Sequence, residues 1–457
     1  MKLPFLRKTG SKPTVADRLR QLAILAGLAL VLLYVGVVAA GYLWLAQVRK
    51  VEHLHLVDVA LFRVQNIRRA MAVQQFAHAQ AEWEAKNYQA AYVAFSTAVR
   101  QDPDNVGGRL AAANFFRAVG AANLGQILLE EGLARTPGEQ PLIVATFDVL
   151  LGGGRDRHAL ELLRQTYPAG FSGQSQLLLE TYELSATLNV EGPAAARKLL
   201  TRYTDLENHL PAAPMVARVY WESGERLRAI TQLAAYVRTP PVPFGDFVRL
   251  AGWQAVAGQP EAAIRTSEQA CARFAGEIPP RVLLIEMKAA ATTGGRPVRA
   301  DIEDYLRNYS SRPEAIPLLA ALAGNKGWVD LARVLYEIAA SRLQNLDVLA
   351  LYYCDALARN GRFAEVQPML AQVEAQTPEA GAAFLVQLRQ RQIIAAAALG
   401  QAEVVRDYAR RLGSALGNDP DGLDICRRIF QKLNIPEAVA ELTPRAAPAK
   451  APVMKRS

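Results

Sequence analysis

Residues that permit a sharp turn recur at a nearly constant interval along most of this chain. Nine of them are glycines, namely Gly120, Gly154, Gly192, Gly224, Gly258, Gly295, Gly327, Gly361 and Gly400. Lys86 holds the equivalent place in the first unit, and each of these positions follows the one before it by about 34 residues. A period of this length is typical of repeat proteins, in which each unit buries its apolar face only on its neighbours.

The residues around each turn vary in size in a regular way. In the first unit, Ala91 and Ala98 are small and Phe95 lies between them. Small side chains let two helices cross closely, a large one fills the crossing, and Pro103 ends the second helix. Small residues recur five places after later turns, at Gly125, Ala159, Ala229, Ala263 and Ala332, and seven places before them, at Ala113, Ala217, Ala251, Ala320 and Cys354.

This pattern in residues 83–105 resembles the second half of a tetratricopeptide repeat (TPR). The resemblance implies an all-α fold, a TPR-like superhelical solenoid of about ten helical hairpins. The register slips by one residue around Gly192, and the units at Gly295, Gly361 and Gly400 lack the small residue five places after the turn. An irregular all-helical domain is therefore the alternative.

A single uncharged, apolar segment precedes the repeats at residues 21–48. It is long enough to cross a bilayer, and Tyr42 and Trp44 lie near its far end, where aromatic rings favour the headgroup level. Residues 1–20 carry six basic residues against one acidic residue. The positive-inside rule then predicts a single-pass protein of the plasma (inner) membrane, with a cytoplasmic N-terminus and an extracytoplasmic solenoid. A cleaved signal peptide, with the small residues at 38–40 as its cleavage site, is the alternative.

The remaining segments follow from composition. Residues 49–72 are predicted to form an amphipathic juxtamembrane helix, because apolar residues recur there at helical intervals. The stripe consists of Leu54, Val57, Leu61, Val64 and Met71. The solenoid is predicted at 73–442, and residues 443–457, rich in proline, alanine and basic residues, are predicted to be a disordered basic tail.

The distribution of charge argues against a nucleic-acid partner. The chain has a formal net charge of +9, but the four basic residues of the tail and the basic N-terminal segment account for all of it. Residues 21–442 contain 42 basic and 42 acidic residues. A nucleic-acid-binding protein concentrates basic residues on a folded face, so the sequence predicts no nucleic-acid partner.

No motif in the sequence indicates catalysis, a metal site or a cofactor. The three cysteines, Cys271, Cys354 and Cys426, are too far apart in sequence for a CxxC motif. Cys354 occupies a small-residue position of its repeat and is predicted to be a buried apolar filler. His53 and His55, two residues apart, fall on opposite sides of a helix and cannot form a ligand pair. We therefore expect no enzymatic activity.

In the TPR family, the first helix of each hairpin lines a concave surface that binds extended peptides or helices. The resemblance places this surface two to six residues before each turn. Aromatic residues and arginines often anchor interfaces. The candidate partner-binding residues are Trp83, Asn114, Arg117, Arg218, Trp221, Tyr353 and Asp355. For Trp83 and Trp221, packing between repeats is the competing interpretation.

The sequence therefore predicts a membrane-anchored scaffold that binds other proteins or peptides for assembly in the cell envelope. It would contact the lipid bilayer through residues 21–48 and its partners through the concave groove. Two alternatives remain: a soluble periplasmic or secreted binding module left by cleavage of the signal, and a helper in envelope polysaccharide biosynthesis or export.

Overall fold

Pairs of antiparallel helices joined by tight turns are the building unit of the chain. The computed structural model describes residues 15–48, 55–239, 241–292, 296, 298–342, 346–378, 381–417 and 420–443. These residues divide into unit 1, within Met1–Gly224, and unit 2, within Glu225–Ser457. The first fourteen residues of the predicted basic N-terminus and the predicted tail beyond Thr443 lie outside the described residues.

The helices of unit 1 are α1 (Val15–Leu43), α2 (Leu56–Ala60), α3 (Val64–Glu84), α4 (Tyr88–Gln101), α5 (Val106–Ala118), α6 (Ala122–Arg135), α7 (Gln140–Gly152), α8 (Asp156–Thr166), α9 (Gln176–Val190), α10 (Pro193–Arg202) and α11 (Ala213–Glu222). A π-helical turn (Trp44–Val48) follows α1, and two 3₁₀ turns (Thr204–Asn208 and Leu210–Ala212) precede α11.

The helices of unit 2 are α12 (Arg226–Val237), α13 (Phe244–Val256), α14 (Pro260–Arg273), α15 (Pro279–Ala290), α16 (Arg299–Tyr309), α17 (Ala315–Lys326), α18 (Val329–Arg342), α19 (Leu346–Arg359), α20 (Phe363–Gln376), α21 (Ala382–Ala398), α22 (Ala402–Leu416), α23 (Pro420–Lys432) and α24 (Pro436–Leu442). Among the described residues of both units, no β-strand occurs.

Consecutive helices pack as hairpins in both units. Unit 1 contains four hairpins, α3/α4, α5/α6, α7/α8 and α9/α10. Unit 2 contains six, α13/α14, α15/α16, α17/α18, α19/α20, α21/α22 and α23/α24. Ten hairpins are therefore present in the described chain, besides α11 at the end of unit 1 and α12 at the start of unit 2. The all-α, TPR-like fold predicted from the sequence is confirmed.

Where the structure describes the turn within a hairpin, its backbone uses the left-handed region. The eight predicted turn glycines that the structure describes have φ between 70° and 89°. Lys86 (φ 61°) and Asn434 (φ 55°) make the same turn without glycine. Glycine adopts this conformation at little cost, and asparagine tolerates it better than most residues. Gly295, the ninth predicted turn glycine, lies outside the described residues.

The small residues lie where the sequence predicts, at helix crossings. Ala91, Ala159 and Ala229 are fully buried, as are their large partners Phe95 and Leu233. Gly125 in α6 shows why size matters, because a Cβ added there would lie 2.8 Å from the backbone oxygen of Ala113 in α5.

Three of the units that depart from the pattern still bury the corresponding positions. Around Gly192 the register is indeed shifted by one residue, and Ala196 and Leu200 fill the crossing. In the hairpin of Gly361, Val366 and Leu370 are both buried large residues. In the hairpin of Gly400 the sizes are exchanged, with Val405 and Ala409 buried instead. Side chains of different size thus occupy equivalent crossings.

Helix α1 contains the one segment of the described chain that is long and apolar enough to cross a membrane, Leu22–Leu43. Only 6% of the most apolar stretch of this segment is buried within the protein. The side chains are large aliphatic groups, such as Leu30 and Leu32, that remain about two-thirds exposed. A helix of this kind is either a membrane span or a signal sequence.

The described part of the segment predicted as one juxtamembrane helix (49–72) contains two helices. Helix α2 ends at Ala60, and Phe62, with a φ of 51°, turns the chain before α3 begins at Val64. The backbone N–H of Arg63 donates to the carbonyl of Asp58 and closes this turn at 2.8 Å. Helix α3 then continues to Glu84 as the first helix of the first hairpin. Residues 49–54 lie outside the described residues.

Candidate functional site

The seven candidate residues lie on helices that come first in their hairpins, or on α11. They are Trp83 on α3, Asn114 and Arg117 on α5, Arg218 and Trp221 on α11, and Tyr353 and Asp355 on α19. Within unit 1 they fall on three helices, α3, α5 and α11, and Asn114 and Arg117 line one cavity. In unit 2, Asp355 lines a different cavity.

Trp83 packs between the first two hairpins. Its indole is half-buried and meets the rings of Phe95 and Phe115 edge-on, with ring centroids 6.4 and 5.6 Å apart. Both phenylalanines are fully buried. Edge-to-face contacts of this kind stabilise a core. The packing interpretation therefore accounts for most of the indole surface.

Arg218 lies in a polar network that links neighbouring hairpins of unit 1. Its Nε donates a hydrogen bond to Glu222, and its Nη2 donates to Asn189, both at 2.7 Å. Asn189 in turn donates to Asp156 at 2.7 Å. A carboxylate of a partner would have to compete with Glu222 for this guanidinium. Trp221, half-buried, lies one helical turn further along α11.

Asn114 and Arg117 are exposed and line an open concavity of about 450 Å³, which we call the amino-terminal concavity. Leu110 and Leu129 contribute apolar side chains to its lining, and Pro141 of α7 lines it as well. The first helices of two consecutive hairpins, α5 and α7, therefore contribute most of this surface, together with Leu129 of α6.

A second cavity, of about 390 Å³, lies in unit 2 and is called here the carboxy-terminal groove. The first helices of three consecutive hairpins, α17, α19 and α21, each contribute to it. The start of α20 and the turn after α23 complete its apolar wall. Its principal lining residues are Asn325, Asp355, Arg359, Phe363, Arg391 and Leu433.

Asp355 and Arg391 form the polar side of the carboxy-terminal groove. The Nε and Nη2 atoms of Arg391 donate to the two carboxylate oxygens of Asp355 at 2.8 and 2.7 Å. Paired hydrogen bonds between a guanidinium and a carboxylate fix the orientation of both groups. Arg359, one helical turn beyond Asp355, is exposed and carries a further positive charge into the cavity wall.

An exposed apolar stripe on α23 continues from the carboxy-terminal groove. Leu433 lines the cavity and is 49% exposed. Ile429 and Ile425 stand four and eight residues earlier and are also exposed. Residues at this spacing share one helix face, and the backbone N–H of Leu433 still donates to the carbonyl of Ile429. The groove therefore has a charged side and an apolar side.

Tyr353 lies beside this groove without lining it. Its ring stacks on that of Tyr336 from α18, with centroids 6.1 Å apart, and is half-buried. The neighbouring Cys354 is buried, as the sequence predicts, and burial raises the pKa of its thiol to about 12. The thiol is therefore protonated at neutral pH and has little nucleophilic reactivity.

Three of the residues that line the carboxy-terminal groove are not identified from the sequence alone. Arg391 lies nine places before its turn, outside the range of two to six places, but its long side chain reaches back to Asp355. Arg359 lies inside that range and was not selected. Leu433 was missed because Asn434 is not a glycine, although it stands one full period after Gly400 and would have indicated a further turn.

Within the described ranges, no group of three or more His, Cys, Asp or Glu side chains is placed to hold a metal ion. The charged side chains of the groove are held in ion pairs or lie at its rim. The lining of the groove combines apolar side chains with hydrogen-bonding and charged groups, as protein-binding surfaces do.

Comparison with solved structures finds helical repeat proteins. One is pilF from Pseudomonas aeruginosa, with 15% identity and a TM-score of 0.34, covering 49% of this chain and 98% of that one. Another is the TPR domain of P58(IPK), with 14% identity, a TM-score of 0.21 and coverage of 79% and 99%. A third is a TPR protein from Parabacteroides merdae ATCC 43184, with 12% identity, a TM-score of 0.35 and coverage of 65% and 97%.

No protein-family model and no curated protein matches the chain. The class of protein is therefore defined by the chain's own architecture. Its helical hairpins, their regular period and their turn geometry make it a TPR-like repeat protein. Proteins of this architecture are scaffolds whose stacked helices present extended surfaces for binding other proteins.

Proposed function

We propose that this chain is a membrane-anchored, non-catalytic scaffold that holds a segment of another protein in the carboxy-terminal groove during assembly of the cell envelope. The observation that carries the proposal is the open cavity formed by the first helices of three consecutive hairpins, next to the exposed stripe on α23. A scaffold of stacked hairpins binds its partners on such a surface.

The lining of the groove indicates the chemistry of the bound segment. Phe363 and Leu433 would accept an apolar side chain, since burying one contributes about 1.5–3 kcal/mol. Arg391 is neutralised by Asp355, whereas Arg359 leaves the rim positive. The complementary ligand is an extended or helical peptide with an apolar anchor and an acidic residue beside it.

A photo-crosslinking residue at Leu433 tests this assignment in membranes from cells that express the full chain. We expect adducts with a partner protein from position 433, and fewer adducts when Arg359→Glu reverses the charge at the rim. Val334 provides a matched control, because it is a similarly exposed aliphatic residue of unit 2 on α18, the second helix of its hairpin. Equal yields of adducts from positions 433 and 334 would rule out the carboxy-terminal groove as the partner-binding surface.

The membrane anchor in this proposal is α1, with the N-terminus in the cytoplasm and the solenoid outside the plasma (inner) membrane. Support comes from the basic residues before the span and from the exposure of its aliphatic side chains. Contacts of α1 with the rest of unit 1 favour retention of the span. Val38 packs against Val59, so cleavage at 38–40 would remove a neighbour of α2.

Fusions to a phosphatase that is active only outside the cytoplasm test this topology. We expect activity from a fusion at the C-terminus and none from a fusion at Ser11. The opposite pattern would mean that the orientation is the reverse of the one proposed. Alkaline extraction of membranes tests cleavage: release of the C-terminal fusion would support the soluble, cleaved binding module. A helper that acts at the membrane in polysaccharide export would instead stay with the membranes.

A further inference from the structure

Helix α2 and the turn that follows it lie against the second half of the apolar helix α1. Val59 packs against Val38, and its Cγ1 lies 3.6 Å from where a Cβ on Gly41 would stand. The hydroxyl of Tyr34 donates to the carbonyl oxygen of Ala60, the last residue of α2. The ring of Phe62 lies 6.2 Å from that of Tyr34, centroid to centroid.

These contacts place the turn beside the apolar segment rather than beyond its end. Tyr34 stands nine residues before Leu43, where the apolar segment ends. With a rise of about 1.5 Å per residue, that is roughly 13 Å inside the end of the span. Phe62, its neighbour, is therefore at a depth where the span itself would be surrounded by acyl chains.

The outward surface of this turn is mostly apolar. Its exposed apolar side chains are Leu56, Val57, Leu61, Phe62 and Val64, each more than half exposed, and the one charged side chain among them is Arg63, which is 54% exposed. The one acidic residue of α2, Asp58, points inward instead. It accepts a hydrogen bond from Asn66 at 2.7 Å and lies 3.8 Å from Arg63. An exposed apolar patch of this kind marks a surface that water does not cover in the functional protein.

The backbone of the turn is also suited to hydrocarbon. A carbonyl at the end of a helix lacks a partner within that helix, and in lipid an unsatisfied carbonyl is strongly destabilising. Tyr34 supplies the donor for Ala60 from within α1. The patch is thus continuous with the exposed surface of α1, and whatever solvates α1 also meets residues 56–64.

We infer that residues 56–64 insert into the lipid leaflet on the solenoid side of the membrane, as a second membrane contact next to the span. The occupant of the apolar patch is phospholipid acyl chain. This inference rests on the proposed function, since it requires α1 to be a membrane span. Because α3 begins at Val64, the inserted turn ties the start of the first hairpin to the membrane.

Depth-dependent fluorescence quenching tests the inference on the full-length chain in phospholipid vesicles. Cys271, Cys354 and Cys426 are replaced by alanine, and an environment-sensitive fluorophore is attached to a single cysteine at position 62. A nitroxide on the lipid acyl chain and aqueous iodide serve as quenchers. We expect strong quenching by the nitroxide and weak quenching by iodide. Val57→Cys is a second probe, in case Phe62→Cys disturbs the turn.

Two control positions separate this inference from the anchoring on which it depends. Leu32, 69% exposed on α1, reports whether the span is in lipid, and Tyr88, 50% exposed at the start of α4, reports a hairpin surface in water. Nitroxide quenching at 32 with iodide quenching at 57 and 62 would overturn the inserted turn but leave the anchor intact. Iodide quenching at 32 as well would overturn the anchor. Protection of 57 and 62 from both quenchers would mean that a protein covers the patch, which also overturns the inference.

Discussion

At the scale of single residues, the aromatic cluster around Phe95 forms the core of the first two hairpins. Phe95 is fully buried, and its ring lies 5.1 Å from Phe115 and 6.4 Å from Trp83. We expect Phe95→Ala to lower the free energy of unfolding by about 3–5 kcal/mol, through lost contacts and the cavity left behind. Chemical denaturation followed by circular dichroism measures this loss.

Tyr88→Ala is the matched control, because Tyr88 lies on the same helix and is half exposed. Its effect on unfolding should stay within about 0.5 kcal/mol, as for most surface positions. Similar losses for the two variants would mean that the cluster does not carry the stability of these hairpins.

A second residue-scale prediction concerns pH. Hydrogen bonds from Arg389, together with smaller effects of Gln392 and Arg411, hold the pKa of the Glu374 carboxyl at about 2, below its ordinary value of 4.5. Because the pKa is lower in the folded state, the contribution of Glu374 to stability is complete above about pH 5. It is lost as the pH falls towards 2, and amounts to roughly 3 kcal/mol.

We therefore expect Glu374→Gln to unfold with less pH dependence between pH 5 and 2 than the wild type. Thermal melting across this pH range measures the difference. Glu403→Gln, at an exposed carboxylate of α22, is the control and should keep the wild-type profile. Parallel profiles for Glu374→Gln and the wild type would show that the ion pair contributes little.

At the scale of helices and turns, glycines at turns and glycines inside helices should respond in opposite ways to substitution by alanine. Gly258 has a φ of 75°, so Gly258→Ala should cost about 1–2 kcal/mol even though a Cβ meets nothing within 4 Å. Gly252 lies inside α13 with the same open space, so Gly252→Ala should stabilise by about 0.5–1 kcal/mol. Denaturant unfolding of the two variants measures both changes in stability. A gain in stability for Gly258→Ala would exclude strain as the reason for glycine at the turns.

The hairpins were predictable because each depends on local residues at fixed positions. A small residue at the crossing and a turn residue before it suffice; the turn residue recurs in every period, and the small residue in all but the units of Gly295, Gly361 and Gly400. The break after α2 was not predictable, because Phe62 carries no turn signal and helical spacing continues through it. The groove was predictable only in part, since Asp355 meets Arg391 from the next hairpin along and spacing does not show how far a side chain reaches.

At the scale of the whole molecule, stacking of nearest neighbours predicts tolerance to loss of a complete period. Deletion of residues 224–257 removes one full period and should leave a shorter array with similar helicity per residue. Deletion of α12 alone (Arg226–Val237) is the control, because it removes less than half a period and leaves α13 without its preceding helix. Circular dichroism of both variants measures the outcome, and loss of helical signal in the full-period deletion would contradict a modular array.

The order of the hairpins has a consequence for how the chain is made. Helices pack on those immediately before or after them, α3 on α4, α4 on α5 and so on along unit 1. A hairpin that emerges during synthesis therefore finds its packing surface in the hairpin made just before it. Under the topology proposed above, with α1 as the membrane anchor, the array would grow outward from the membrane one hairpin at a time, and export and folding would proceed together.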